Sequence, residues 1–151
     1  MAVGEPSAVG QAELDSPFQL FQVRPELLAS GKKVTVLAKS DILTGTVMVA
    51  DSGGETIVHA HQFMDQLFIV LAGEATFYGD LHEMVAVLGP WEGVLVPRGA
   101  TYWYEKTSAE NLVLLRAAAI AQNAERETVR FTDQLRPAAP VQVIEGKHFG
   151  D

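Results

Sequence analysis

Two histidines separated by one residue, His59 and His61, are the side chains whose type and spacing best suit chemistry. They close a short strand-like stretch, residues 56–61 (TIVHAH), that follows the Gly53-Gly54 turn signal. Side chains on a strand repeat every two residues, so both imidazoles leave the same face. Neutral imidazole is the commonest protein metal ligand, and such a pair can hold one ion. The same spacing also suits two histidines on a half-buried strand that bond only to their neighbours. Beyond them, residues 67–72 (LFIVLA) form a continuous apolar run ended by Gly73, which reads as a buried strand.

Other reactive side chains are sparse. Tyr102 and Tyr104 share one strand face and Trp103 takes the other, a cluster that fits either a core or a phenol presented to a ligand. His82, His148, Arg98 and Glu92 sit in turns or near the C-terminus and read as solvated surface. No cysteine is present, which excludes a disulfide framework, a thiolate nucleophile and a zinc–thiolate site. There is no Ser-His-Asp order, phosphate loop or dinucleotide fingerprint.

The elements that must position these residues are strands. Short β-rich runs cover residues 34–38, 42–50, 56–61, 67–72, 75–78, 84–88, 93–96, 101–106 and 112–119, with Gly, Pro or Asp between most of them. Such punctuation indicates an all-β sandwich or barrel, and no βα alternation is visible. Residues 1–30 read as an N-terminal arm, 31–120 as the barrel, and 121–151 as a C-terminal extension that packs on the barrel or on a partner subunit. Residues 120–136 are open between a short helix and one more strand, and residues 141–144 are β-like. In the arm, Phe18, Leu20, Phe21, Val23, Leu27 and Leu28 are more apolar surface than a small barrel covers alone, which predicts a homodimer.

The 151 residues suffice for one domain with a substantial core. A hydrophobic fraction of 48% and a charged fraction of 20% are those of an ordinary globular protein. The net charge of −8 argues against nucleic acid and anionic membrane as partners. With neither a membrane-length apolar run nor a signal pattern, the expectation is a cytoplasmic protein.

The stretch from Gly53 to Gly73 resembles the first motif of the cupin superfamily: Gly, five residues, His-x-His, three or four residues, Glu, six residues, Gly. Gly53, His59, His61 and Gly73 match, and Gln66 stands in place of the Glu. The segment WEGVLVPRGATYWYEK is similar to the second motif, Gly-x5-Pro-x-Gly-x2-His-x3-Asn. There Pro97 and Gly99 match, while Trp91, Tyr102 and Lys106 replace the Gly, the metal-binding His and the Asn. The resemblance spans roughly residues 34 to 116.

It implies a double-stranded β-helix, the jelly-roll-like cupin barrel, with His59 and His61 as ligands of a divalent Fe, Mn, Zn or Ni ion. The third ligand is open between Gln66, favoured by spacing, and Asp65, favoured by charge. In an unbroken strand the two point to opposite faces, so Asp65 would need a kink or bulge before Leu67 to turn inward. Tyr102 stands where the fourth ligand is missing, and is otherwise a hydrogen-bond donor or general acid toward substrate. The implied activity is that of a metal-dependent enzyme on a small organic substrate, aromatic or polyketide-like. It would act by dioxygenation or by Lewis-acid isomerisation, cyclisation or lyase chemistry. The competing implication is a non-catalytic small-molecule-binding cupin that has lost its metal.

Overall fold

The computed structural model describes residues 16–53, 56–121, 128–130 and 139–151. Twelve strands make up nearly all of the described secondary structure, with one 3-10 turn at Asp80–His82 and no α-helix. In chain order they are β1 (Glu26–Ser30), β2 (Lys32–Lys39), β3 (Leu43–Ala50), β4 (His59–His61), β5 (Met64–Ala72) and β6 (Ala75–Tyr78). They continue as β7 (Met84–Leu88), β8 (Gly93–Val96), β9 (Trp103–Lys106), β10 (Leu112–Ile120), β11 (Thr128–Arg130) and β12 (Gln142–His148). No described helix is long and apolar enough to cross a membrane.

A five-stranded sheet runs β2-β3-β10-β5-β8 and a three-stranded sheet runs β7-β6-β9. The pair β11-β4 joins the second sheet through a bridge between His59 and Tyr102. All pairings are antiparallel. The interior between the sheets is apolar and aromatic: Met48, Phe68, Val70, Phe77, Val96, Tyr102, Tyr104, Leu112 and Leu114 pack in one cluster. A second cluster lies on the opposite face of the five-stranded sheet, where Leu28, Val47, Val49 and Val113 are buried with Val23, Leu27, Leu37, Leu71 and Phe149 against them. Burial of one such side chain stabilises by roughly 1.5–3 kcal/mol, so the alternation of the strands fixes which residues face inward.

That alternation is plainest in β5, where Met64, Gln66, Phe68 and Val70 are buried while Asp65 and Leu67 are exposed. The strand starts at Met64, before the apolar run itself, because Met64, Asp65 and Gln66 pair with Ile120, Ala119 and Ala118 of β10. At the other end Gly73 adopts φ 78°, and a side chain there would collide with the Asn111 carbonyl, so the turn after β5 requires glycine.

The described end of the arm is a strand. Residues Glu26–Ser30 pair with Gln142–His148, and the Asn111 side chain caps the pair by accepting from the Leu28 N–H and donating to the Leu28 carbonyl. Phe18, Leu20 and Phe21 remain exposed. Of the residues left open in sequence, Thr128–Arg130 form β11 against β4. Residues 1–15 of the arm and 122–127 and 131–138 of the extension lie outside the described residues.

Candidate functional site

His59 and His61 project from β4 on one face, as the two-residue period requires, with ring centroids 4.9 Å apart and planes nearly perpendicular. Both are partly exposed, while Ala60 between them is buried. β4 is pinned on both sides. His59 and Tyr102 exchange backbone hydrogen bonds of 3.0 and 2.9 Å, and the Gly99 N–H donates to the His61 carbonyl at 2.7 Å. Gly99 holds φ 84°, the left-handed conformation that lets the turn after Pro97 bring its N–H to β4. The His59 Nδ1 lies 2.6 Å from the Ile57 carbonyl. A carbonyl only accepts, so Nδ1 carries a proton in this contact.

Beneath the imidazoles lies a polar cluster in an apolar surround. Tyr102 is 5% exposed and its ring stands 4.4 Å from that of His59 and 6.2 Å from that of His61. Gln66, 1% exposed, donates from Nε2 to the Tyr102 hydroxyl at 3.0 Å. Its Oε1 lies 3.3 Å from that hydroxyl and accepts from Arg116 Nη1 at 3.2 Å. Burial pushes the Tyr102 phenol up to about 12, against smaller opposing effects of the Gln66 hydrogen bond and the Arg116 charge. Tyr104 next to it is also raised, first by burial and then by Tyr102. Tyr102 is therefore a neutral phenol at physiological pH, able to donate a hydrogen bond.

Asp65 does not join this cluster. It is exposed on the other face of β5 and accepts from the Arg98 N–H at 2.8 Å. The pairing of β5 with β8 is regular from Gln66 to Ile69, and that with β10 is regular from Met64 to Ile69, so no bulge turns Asp65 inward. Gln66 thus occupies the inward place that spacing assigned to it. Trp103, on the opposite face from Tyr102, stacks on Tyr78 at 4.1 Å. His82 packs edge-on to Trp103, and His148 lies 4.0 Å from Asp151.

Arg116 was missed in sequence. β10 reads LVLLRAAAI, and Leu112, Leu114, Arg116 and Ala118 share the inward face. A guanidinium in the middle of an apolar strand was the available signal, because arginine is seldom inside without a partner. Here it forms no ion pair among the described residues, and its Nε is buried without a hydrogen bond.

The donor set can be tested against a divalent ion. His59 and His61 are suitable, but among the described residues no three His, Cys, Asp or Glu side chains converge. The third inward donor is an amide oxygen already accepting from a guanidinium. A neutral amide supplies no compensating charge, and the adjacent cation repels the ion. The side chain at the fourth place is a phenol, a poorer ligand than imidazole while it keeps its proton. These residues do not fit a tightly bound divalent ion.

A cavity of about 490 Å³ opens between the edge strands β7 and β8, lined by Phe77, Tyr78, Val85, Val94, Val96 and Tyr102 among others. Of the polar cluster it touches only Tyr102.

The architecture is a double-stranded β-helix, the cupin fold. The chain is similar to an uncharacterized conserved protein with a double-stranded β-helix domain from Klebsiella pneumoniae, at 16% identity over 77% of this chain and 93% of that one, with a TM-score of 0.63. It is similar to an RmlC-like cupin from Shewanella frigidimarina at 23% identity, 63% and 81% coverage and a TM-score of 0.52. A DMSP lyase from Ruegeria pomeroyi aligns at 22% identity over 70% of this chain and 54% of the lyase, with a TM-score of 0.55. No family model and no curated protein matches the sequence.

Proposed function

We propose that the chain is a small-molecule-binding cupin whose ligand seats against His59, Tyr102, Gln66 and Arg116. One observation carries this reading. Three polar side chains, Gln66, Tyr102 and Arg116, meet inside an otherwise apolar barrel, and one of them keeps a buried nitrogen unsatisfied. Fold stability alone favours apolar side chains at such positions, so a cluster of this kind points to a ligand. The Tyr102 phenol, raised to about 12, keeps its proton and can donate a hydrogen bond to a ligand oxygen.

Native mass spectrometry of the protein purified without added ligand tests this. A reproducible small organic adduct in the wild type that is absent from Gln66→Leu and from Tyr102→Ala supports the reading. An adduct retained in both folded variants places the ligand elsewhere.

A second reading is the metal-dependent enzyme, a dioxygenase or an isomerase, cyclase or lyase. Its support is the convergence of His59 and His61 at 4.9 Å, together with a lyase among the proteins of this fold. It places an ion beside the Arg116 guanidinium, whose charge opposes it. The exposed Phe18, Leu20 and Phe21 support a homodimer, an assignment that a stable monomer in sedimentation at micromolar concentration would remove.

A further inference from the structure

The geometry points to an anionic ligand: we infer that Arg116 binds the carboxylate of a small organic acid inside the barrel. This rests on the binding reading above and adds the ligand's chemical class.

The guanidinium is placed by β10, whose register sets Arg116 opposite Phe68 of β5 and Thr46 of β3. Its side chain turns toward Gln66, on the inward face. Among the described residues only Nη1 has a protein partner, and that partner is the neutral oxygen of an amide. Nε is buried and makes no hydrogen bond. Guanidinium presents its donors as a planar fork that matches the two oxygens of a carboxylate, so the unmet demand has a specific shape and sign.

The acidic side chains that could answer it face elsewhere among the described residues. Asp65 caps Arg98 on the outer face, Asp51 pairs with Lys106 at 3.4 Å, and Glu105 accepts from Tyr78. A glutamate at position 66 would have neutralised Arg116 directly, and the chain has glutamine there. Among the described residues no carboxylate pairs with Arg116, and a ligand carboxylate would fill that place. Arg116 is only partly buried, as are His59 and His61 above the cluster, so the site is open to solvent on that side. Phe68, Tyr102 and Tyr104 form the nearby walls, with Phe68 and Tyr102 rings 5.9 Å apart. The Tyr102 hydroxyl can donate to a further oxygen of the same ligand.

Calorimetric titration of the full chain with benzoate, phenylacetate and pyruvate, each paired with its neutral amide, tests the inference. At least one acid is expected to bind at least tenfold more tightly than its amide. Arg116→Gln should remove that difference by weakening the acid at least tenfold more than the amide. Arg116→Lys should restore part of it, because charge returns without the fork. Near-ultraviolet circular dichroism confirms that each variant keeps its aromatic packing. Equal affinity for acid and amide in the wild type, or acid binding unchanged in Arg116→Gln, overturns the inference while the binding reading stands. Amides binding without any acid does the same. If no compound of either kind binds, both are wrong.

Discussion

Arg116 Nη1 sits 3.2 Å from Gln66 Oε1, so a strand-borne cation is hydrogen-bonded to the side chain that holds the inward third-ligand place. The contact joins the Gln66 departure from the first motif to a cation that lies outside both motifs. With glutamine at position 66 the site loses the carboxylate that would compensate either a metal ion or the arginine. Among the described residues, what remains is a cluster with net positive character under two imidazoles.

An arginine held for binding rather than for folding costs stability. Its buried, unsatisfied Nε carries a penalty of about 1–3 kcal/mol. Arg116→Met, similar in volume and apolar, is therefore expected to leave the melting temperature unchanged or to raise it by a few degrees. A drop of more than about 2 kcal/mol in urea unfolding would show that Arg116 is structural.

The buried phenol sets an alkaline limit. Tyr102 has its folded-state value raised to about 12, above the ordinary tyrosine value near 10. A raised value means that the folded state holds the proton more tightly than the unfolded state. The associated stability is complete below about pH 10 and is lost as pH rises through about 12. Urea midpoints measured from pH 8 to pH 11.5 should fall above pH 10. Tyr102→Phe should flatten part of that fall, with Tyr104 supplying the rest; an identical slope in the variant would count against the burial argument.

Trp91 predicts a different effect. It stands where the resembling motif carries glycine, is 77% exposed, and holds φ 67°. An L-residue in that conformation costs about 1–2 kcal/mol. Glycine would relieve the strain but add freedom to the unfolded chain, about 0.5–1 kcal/mol in the other direction. Trp91→Gly should be more stable by about 0.5–1 kcal/mol in denaturant titration. A less stable variant would mean that the Trp91 side chain contributes contacts of its own.

Most of the barrel was legible because its strands carry their own alternation and glycine punctuation. Residues 75–78, 84–88 and 93–96 fall where the apolar pattern puts them. The start of β5 was not legible. Met64, Asp65 and Gln66 become strand by pairing with β10, a partner far along the chain. The same long-range pairing settled which of Asp65 and Gln66 faces inward, a question that local spacing left open. β1 was hidden for a similar reason, since its partner Gln142–His148 lies at the opposite end of the chain. Arg116 escaped because an apolar strand with one cation reads as noise until Gln66 is seen beside it.

Metal content tests the central claim most directly, that Arg116 rather than a resident metal ion supplies the positive charge in this site. Elemental analysis of protein purified without added metal, followed by zinc titration, is expected to give far less than one equivalent and only weak zinc binding. Gln66→Glu, which supplies the missing carboxylate, should bind zinc more tightly than the wild type. One tightly held equivalent of metal in the wild type, lost on His59→Ala or His61→Ala, would contradict the account and establish the metal-dependent reading instead.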